Sequence, residues 1–279
     1  MVPLPSLLQA LPILTEWGPN RMGRRPGGSS TSSSEDAFGV SPPHFVLMLT
    51  ERDITIPDAF KVYSRLKEEQ DLHYVAFKDV GADRHQLQEL TEAIHADRRA
   101  ALLEIADVSE RGQHAGFQLA VDLGVDSVIG VWRPEIVRVL AHSNAPNYWP
   151  FVGELRGSPL QLQSTPQELR EEVVAISPSP GVAGLVLMPY RQQTHDPQVL
   201  LDAVCRVSSL PVLVAGGVSH TGQVRSIHRA GAWGFTMGGA ILRDRYHDPD
   251  SVERLVHETL EICRTVGANL PIAAGEDLL

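Results

Sequence analysis

Two stretches decide how this chain is read: Pro211-Val212-Leu213-Val214-Ala215-Gly216-Gly217-Val218 and Gly231-Ala232-Trp233-Gly234-Phe235-Thr236-Met237-Gly238-Gly239-Ala240. Each is an apolar strand ending in a pair of glycines, and a helical segment closed by Gly231-Ala232 lies between them. Glycines lack a Cβ, so backbone N–H groups can converge on an anion, and a helix that follows adds partial positive charge. Two Gly-tipped strands late in a chain of this size match the phosphate site of a (β/α)8 barrel, which is built from the loops after strands seven and eight. The competing interpretation is that the glycines ease helix–sheet packing.

Outward from these strands, apolar runs alternate with amphipathic segments from His44 onward, the pattern of βα units. Strands are expected at 45–49, 74–78, 101–105, 127–131, 151–155 and 183–188, ahead of the two Gly-tipped ones. Helices are expected from Pro57 to about Glu69, over 85–96 and 112–123, and from Pro134, Thr165, Pro197 and Ser251 onward. Thr165-Pro166-Gln167-Glu168 reads as an N-cap, a proline at the first helical position and a capping-box glutamate. Eight strands give an α/β fold, a (β/α)8 TIM barrel over residues 44–279. Residues 1–43 are read as a disordered extension rich in Pro, Gly and Ser. Its apolar opening is broken by Pro3, Pro5 and Pro12 and lacks a basic start, which argues against a secretory signal. A start near Met22 is the other interpretation of this segment.

The chain has 279 residues, enough for one barrel of about 250 residues. Its formal net charge of -10 argues against partners that reward a basic face, nucleic acid and anionic membrane. A phosphorylated small molecule stays compatible, because a few amides and one or two arginines hold it. Cys205 and Cys263 show no metal-like spacing, which suggests a reducing compartment, and no apolar run approaches a membrane span. The expected setting is cytoplasmic, with a small phosphorylated substrate as partner.

Barrel catalysis sits at strand C-termini, and alternation sorts each strand into two faces. Val75 and Phe77 suit the helix side of the second strand, sending Ala76 and Lys78 inward. The same logic sends Glu104 and Ala106 inward from the third strand and Glu154 inward from the fifth. Lys78 is one of only three lysines, with Lys61 and Lys67, and the only one on a strand. Where arginine is the usual cation, a lysine suggests imine formation through an amine of depressed pKa, or a compact charge against an enolate. A structural ion pair with Glu104 is the plainer alternative. Asp79, Asp107 and Glu154 join Lys78 and Glu104 as catalytic candidates, as proton-transfer groups or as oxygen ligands for Mg²⁺. No other cofactor is expected. Arg52, Arg156 and Tyr190 are substrate-binding candidates, with Asp53, Arg191, Arg243 and Arg245 near the strand tips. His44 falls at the wrong end of the barrel, and His195 reads as a solvated loop residue.

The Gly-tipped strands resemble those of the ribulose-phosphate-binding barrels, which include sugar-phosphate epimerases, decarboxylases, formaldehyde-fixing aldolases and indole-glycerol-phosphate-type enzymes. The resemblance covers roughly residues 44–266 in architecture, but its motif is confined to the last two strands. It implies phosphate binding by Gly216, Gly217, Val218, Gly238 and Gly239. A homodimer is implied only by this resemblance, and nothing in the sequence singles out an interface. The family's catalytic residues do not carry over. Decarboxylases and hexulose-phosphate synthases carry Asp-x-Lys-x-x-Asp on strand three, where this chain reads Glu104-Ile105-Ala106-Asp107. The paired His and Asp ligands of the epimerases are not found either. The chain therefore reads as a divergent branch. The leading expectation is lyase chemistry alpha to a carbonyl, of aldolase or decarboxylase type, on a phosphorylated sugar or carbonyl compound. A sugar-phosphate isomerase or epimerase with a carboxylate base is one alternative, and a non-catalytic phosphometabolite- or FMN-binding barrel is the other.

Overall fold

A computed structural model describes residues 41–140, 145–243, 245 and 247–268. The expected extension falls outside them except for residues 41–43, which lead into the first strand.

Eight parallel strands close into a barrel: β1 (His44–Met48), β2 (Tyr74–Lys78), β3 (Ala100–Glu104), β4 (Ser127–Val131), β5 (Asn147–Phe151), β6 (Leu185–Leu187), β7 (Val212–Val214) and β8 (Gly234–Met237). The order around the barrel follows the chain, and β8 closes onto β1 with Phe45 opposite Phe235 and Leu47 opposite Met237. Sequential parallel strands need crossovers. These are α1 (Ala59–Ser64), α2 (Arg84–Ala96), α3 (Glu110–Leu123), α4 (Pro134–Leu140), α5 (Pro166–Ile176), α6 (Pro197–Cys205) and α7 (Thr221–Arg229), followed by α8 (Gly239–Leu242) and α9 (Pro249–Gly267).

Local chemistry sets the helix starts. The Thr165 hydroxyl accepts from the Glu168 amide while the Glu168 carboxylate accepts from the Thr165 amide, the expected capping box on α5. Asp83 and Gln86 make the same reciprocal pair on α2. Helix α1 is shorter than its sequence suggests, ending at Ser64 rather than near Glu69. The buried Arg99 guanidinium donates to the carbonyls of Leu66, Lys67 and Glu69, so this stretch runs as successive turns instead of another helical turn.

The fifth strand corrects the sequence reading. It spans Asn147–Phe151, not 151–155, with Pro150 inside it opposite Gly130. Glu154 therefore lies beyond the strand, beside a small hairpin of Leu155–Arg156 and Gln161–Leu162.

The barrel floor is aromatic. His44 stacks on Trp233 at 4.5 Å between centroids, and Tyr74 and Trp149 pack around the same indole at 5.1 and 5.3 Å. His44 and Tyr74 begin their strands, so this cluster closes the N-terminal end. A Cβ at Gly184 would lie 2.1 Å from the Trp149 ring, so glycine is needed there for space. With one end filled, the open end is the C-terminal one. No helix among the described residues is long and apolar enough to cross a membrane.

Candidate active site

Pairing register creates the centre of the site. Strands β2 and β3 align with Lys78 opposite Glu104, each the last residue of its strand. Lys78 Nζ lies 3.0 Å from Glu104 Oε1, and both residues are only 5% exposed. The Thr55 hydroxyl accepts from the Lys78 amide at 2.8 Å and donates to the Lys78 carbonyl at 2.9 Å, fixing the backbone that carries the amine.

Asp53 supplies the second carboxylate. It reaches Lys78 Nζ at 3.4 Å, and Arg191 donates to it twice, at 3.0 and 3.1 Å. The result is a row of alternating charge, Arg191–Asp53–Lys78–Glu104. Asp53 and its neighbour Arg52 form the two-residue turn of a hairpin between Thr50–Glu51 and Ile54–Thr55, with φ of +62° and +50°. Such turns ordinarily carry glycine, asparagine or aspartate, so Arg52 is the unusual residue and pays roughly 1–2 kcal/mol for this backbone. Strain of this kind persists where the side chain has a task.

These charges set the ionisation state. Burial pushes the Lys78 ammonium down, but the Glu104 and Asp53 carboxylates outweigh it and hold its pKa above the ordinary lysine value. Burial pushes Asp53 up, yet its bonds to Arg191 and the Lys78 charge bring it below the usual carboxylate range. Lys78 is therefore a cation in the resting site. The depressed amine that imine chemistry asks for is not what this environment produces.

Above the pair lies a cavity of about 870 Å³, lined by Lys78, Glu104 and Asp53 on one side. Gly216, Gly217, Val218, Gly238 and Gly239 line the other, so the two Gly-tipped strands and the buried pair share one space. Gly216 and Gly217 have φ of +73° and +79°. Their lack of Cβ also makes room: a Cβ at Gly216 would sit 2.9 Å from Arg191 Nε. Among the described residues, the amides of Gly216, Gly217, Val218, Gly239 and Ala240 have no protein acceptor.

The other candidates are dispersed. Asp79 is half-buried and accepts from the Ala106 amide at 2.8 Å; burial raises its pKa against that bond. Asp107 is exposed and accepts from the Ser109 amide at 2.8 Å ahead of α3. Neither lines the cavity. Glu154 and Arg156 pair with each other at 2.7 Å, with 55% and 69% of their side chains exposed, so Glu154 does not point into the barrel. Arg52 and Tyr190 line an adjoining space. His195 is bonded to Gln192 and Thr194 and lines neither space itself. The expectation from sequence left Asp53 and Arg191 as residues near the tips; they are part of the charge row. Among the described residues no three His, Cys, Asp or Glu side chains gather around a metal position. Both inner carboxylates face cations of the protein, Glu104 facing Lys78 and Asp53 facing Lys78 and Arg191.

Fold and site together define a (β/α)8 barrel with a polar cavity at the C-terminal ends of its strands. Solved structures share this fold. Tryptophan synthase from M. tuberculosis matches with a TM-score of 0.57 and 15% identity, over 84% of this chain and 95% of that one. The native KDPGal structure matches with 0.58 and 15%, over 80% and 95%. Thiamine phosphate pyrophosphorylase from Pyrococcus furiosus matches with 0.54 and 12%, over 82% and 99%. At such identities the likeness is one of fold, and it is the fold that the resemblance to ribulose-phosphate-binding barrels implies. No protein-family model and no curated protein matches this chain.

Proposed function

We propose that this barrel is an enzyme acting on a small phosphorylated carbonyl compound, making or breaking a C–C bond or moving a proton alpha to the carbonyl. The observation that carries the reading is the buried Lys78–Glu104 pair, 3.0 Å apart, in the same cavity as the two Gly-tipped loops. Open amides on those loops suit a phosphate, and remote phosphate binding holds the reacting carbons against the pair. Glu104 accepts the proton from the carbon alpha to the carbonyl. The Lys78 ammonium hydrogen-bonds the carbonyl oxygen and stabilises the negative charge that develops there. In the lyase direction Glu104 takes the proton of the β-hydroxyl instead; the β-carbon leaves as a carbonyl, the electron pair of the Cα–Cβ bond enters the same enolate, and that enolate is then protonated at the alpha carbon. The raised Lys78 pKa favours this ammonium role over an imine.

The test is a thermal-shift panel of inorganic phosphate and triose, pentose and hexose phosphates with their unphosphorylated counterparts, with and without Mg²⁺, followed by borohydride treatment of the stabilising compound. Stabilisation by a phosphorylated compound over its unphosphorylated form is expected, through mass action on the native state. No covalent adduct is expected at Lys78. An adduct of substrate mass on Lys78 would replace the ammonium by an imine; no phosphorylated compound shifting the melt would refute the phosphate reading.

A further inference from the structure

The cavity of about 870 Å³ adjoins a second lobe of about 470 Å³, and the two share Thr50, Asp53, Arg191, Gly217, Gly239 and Arg243 as walls. The outer lobe adds Arg52, Tyr190, Gln161, Gln192 and Gln193. Its charges are unevenly used. Arg191 and Asp53 neutralise each other. Arg52 and Arg243 are exposed and have no acceptor among the described residues. Arg98, Arg111, Arg170, Arg225 and Arg229 also lack acceptors, but none of these lines either lobe. Glu51 borders the outer lobe as well, and two guanidiniums outnumber its carboxylate.

The turn that carries Arg52 adds a separate observation. Both of its residues hold a positive φ, which aspartate tolerates and arginine rarely adopts. Asp53 has its reason in the bonds to Arg191 and Lys78. Arg52 has no such bond among the described residues; it is exposed and lines the outer lobe. A strained position occupied by an unpaired cation on a cavity wall calls for an anion from outside the protein.

We infer that the outer lobe binds a second anionic group of the ligand, held by Arg52 and Arg243, so that the substrate carries an anion at each end. This rests on the inner-lobe phosphate proposed above. A carboxylate and a second phosphate present the same chemistry to two guanidiniums, and separate probes distinguish them.

Calorimetric titration of the full chain with inorganic phosphate, dihydroxyacetone phosphate, 3-phosphoglycerate and ribulose 1,5-bisphosphate tests this. At least one of the last two should bind about tenfold or more tighter than dihydroxyacetone phosphate, the scale of one charge-assisted hydrogen-bonded contact. Which one gains identifies carboxylate or phosphate. That ratio should collapse toward one in Arg52→Asn/Arg243→Gln. Asparagine suits the positive φ and Arg243 is exposed, so an unchanged far-UV spectrum and melt are expected of the variant. Equal affinities in the wild type, or a ratio that survives in the variant, would overturn the inference and leave the inner phosphate site standing. If neither inorganic phosphate nor any of the phosphorylated probes binds, both readings fall.

Discussion

Breaking the Lys78–Glu104 pair from one side and from both gives three different costs. Both side chains are nearly fully buried, and among the described residues Glu104 has Lys78 as its only salt-bridge partner. Lys78→Met leaves that carboxylate buried and unpaired, which costs about 3–5 kcal/mol. Glu104→Gln is milder, about 1–3 kcal/mol, because Lys78 keeps Asp53 at 3.4 Å. Replacing both removes the orphan charge, and such double replacements are often near neutral. The cycle therefore predicts a coupling energy of at least about 2 kcal/mol, far above the ~0.5 kcal/mol scatter of independent sites. For a domain of this size, Lys78→Met should also lower the melting temperature by on the order of 10 °C. Urea unfolding followed by tryptophan fluorescence suits the measurement, since Trp149 is fully buried in the core. Additive single costs, with coupling under about 0.5 kcal/mol, would refute the buried pair on which the site is built.

Asp53→Asn removes one of the two carboxylates that raise Lys78, so the Lys78 titration should move down. With only three lysines in the chain, ¹³C-lysine spectra resolve it, and an unmoved titration would contradict the charge row. In the wild type, Lys78 loses its contribution only as pH rises through its elevated pKa, above about 10.4. Asp53 loses its own as pH falls through a pKa below about 3.9, so the row should hold across the range between. Gly184→Ala drives a Cβ to 2.1 Å from the Trp149 ring and should cost about 1–3 kcal/mol in urea unfolding; no loss would mean the floor is loose. His95 is raised by its bond to Asp126 at 2.9 Å, so its stabilisation is full below about pH 6.5 and fades as pH rises through the higher folded value. The pair is more than a third exposed, so the effect stays under about 1 kcal/mol, and His95→Gln should abolish that slope.

Much of this was legible before the structure, and the reasons differ by residue. The strand of Lys78 has clean alternation, so its boundaries and inward face followed from period two. Glu104 followed in the same way from the third strand. Their contact depends on register between strands, which no single strand encodes. The Gly pairs announced their loops, but part of the need for Gly216 is the packing of Arg191 against it, a long-range contact. Asp53 was hard to weigh because its hairpin turn reads Arg52-Asp53 and lacks the glycine that usually completes such a turn. Glu154 was misplaced because Pro150 sits inside a barrel strand, where a missing donor normally argues for a boundary. The strand ends at Phe151, so Glu154 falls in the loop beyond it.

The most direct test of the account is proton exchange at the carbon alpha to a carbonyl. Phosphorylated aldoses and ketoses that stabilise the protein are incubated with it in D₂O and followed by proton NMR. The account predicts deuterium at the alpha carbon of at least one of them with wild type, slowed about 10²–10⁴-fold in Glu104→Gln. Every bound compound keeping its alpha proton in the presence of the wild-type barrel would contradict it.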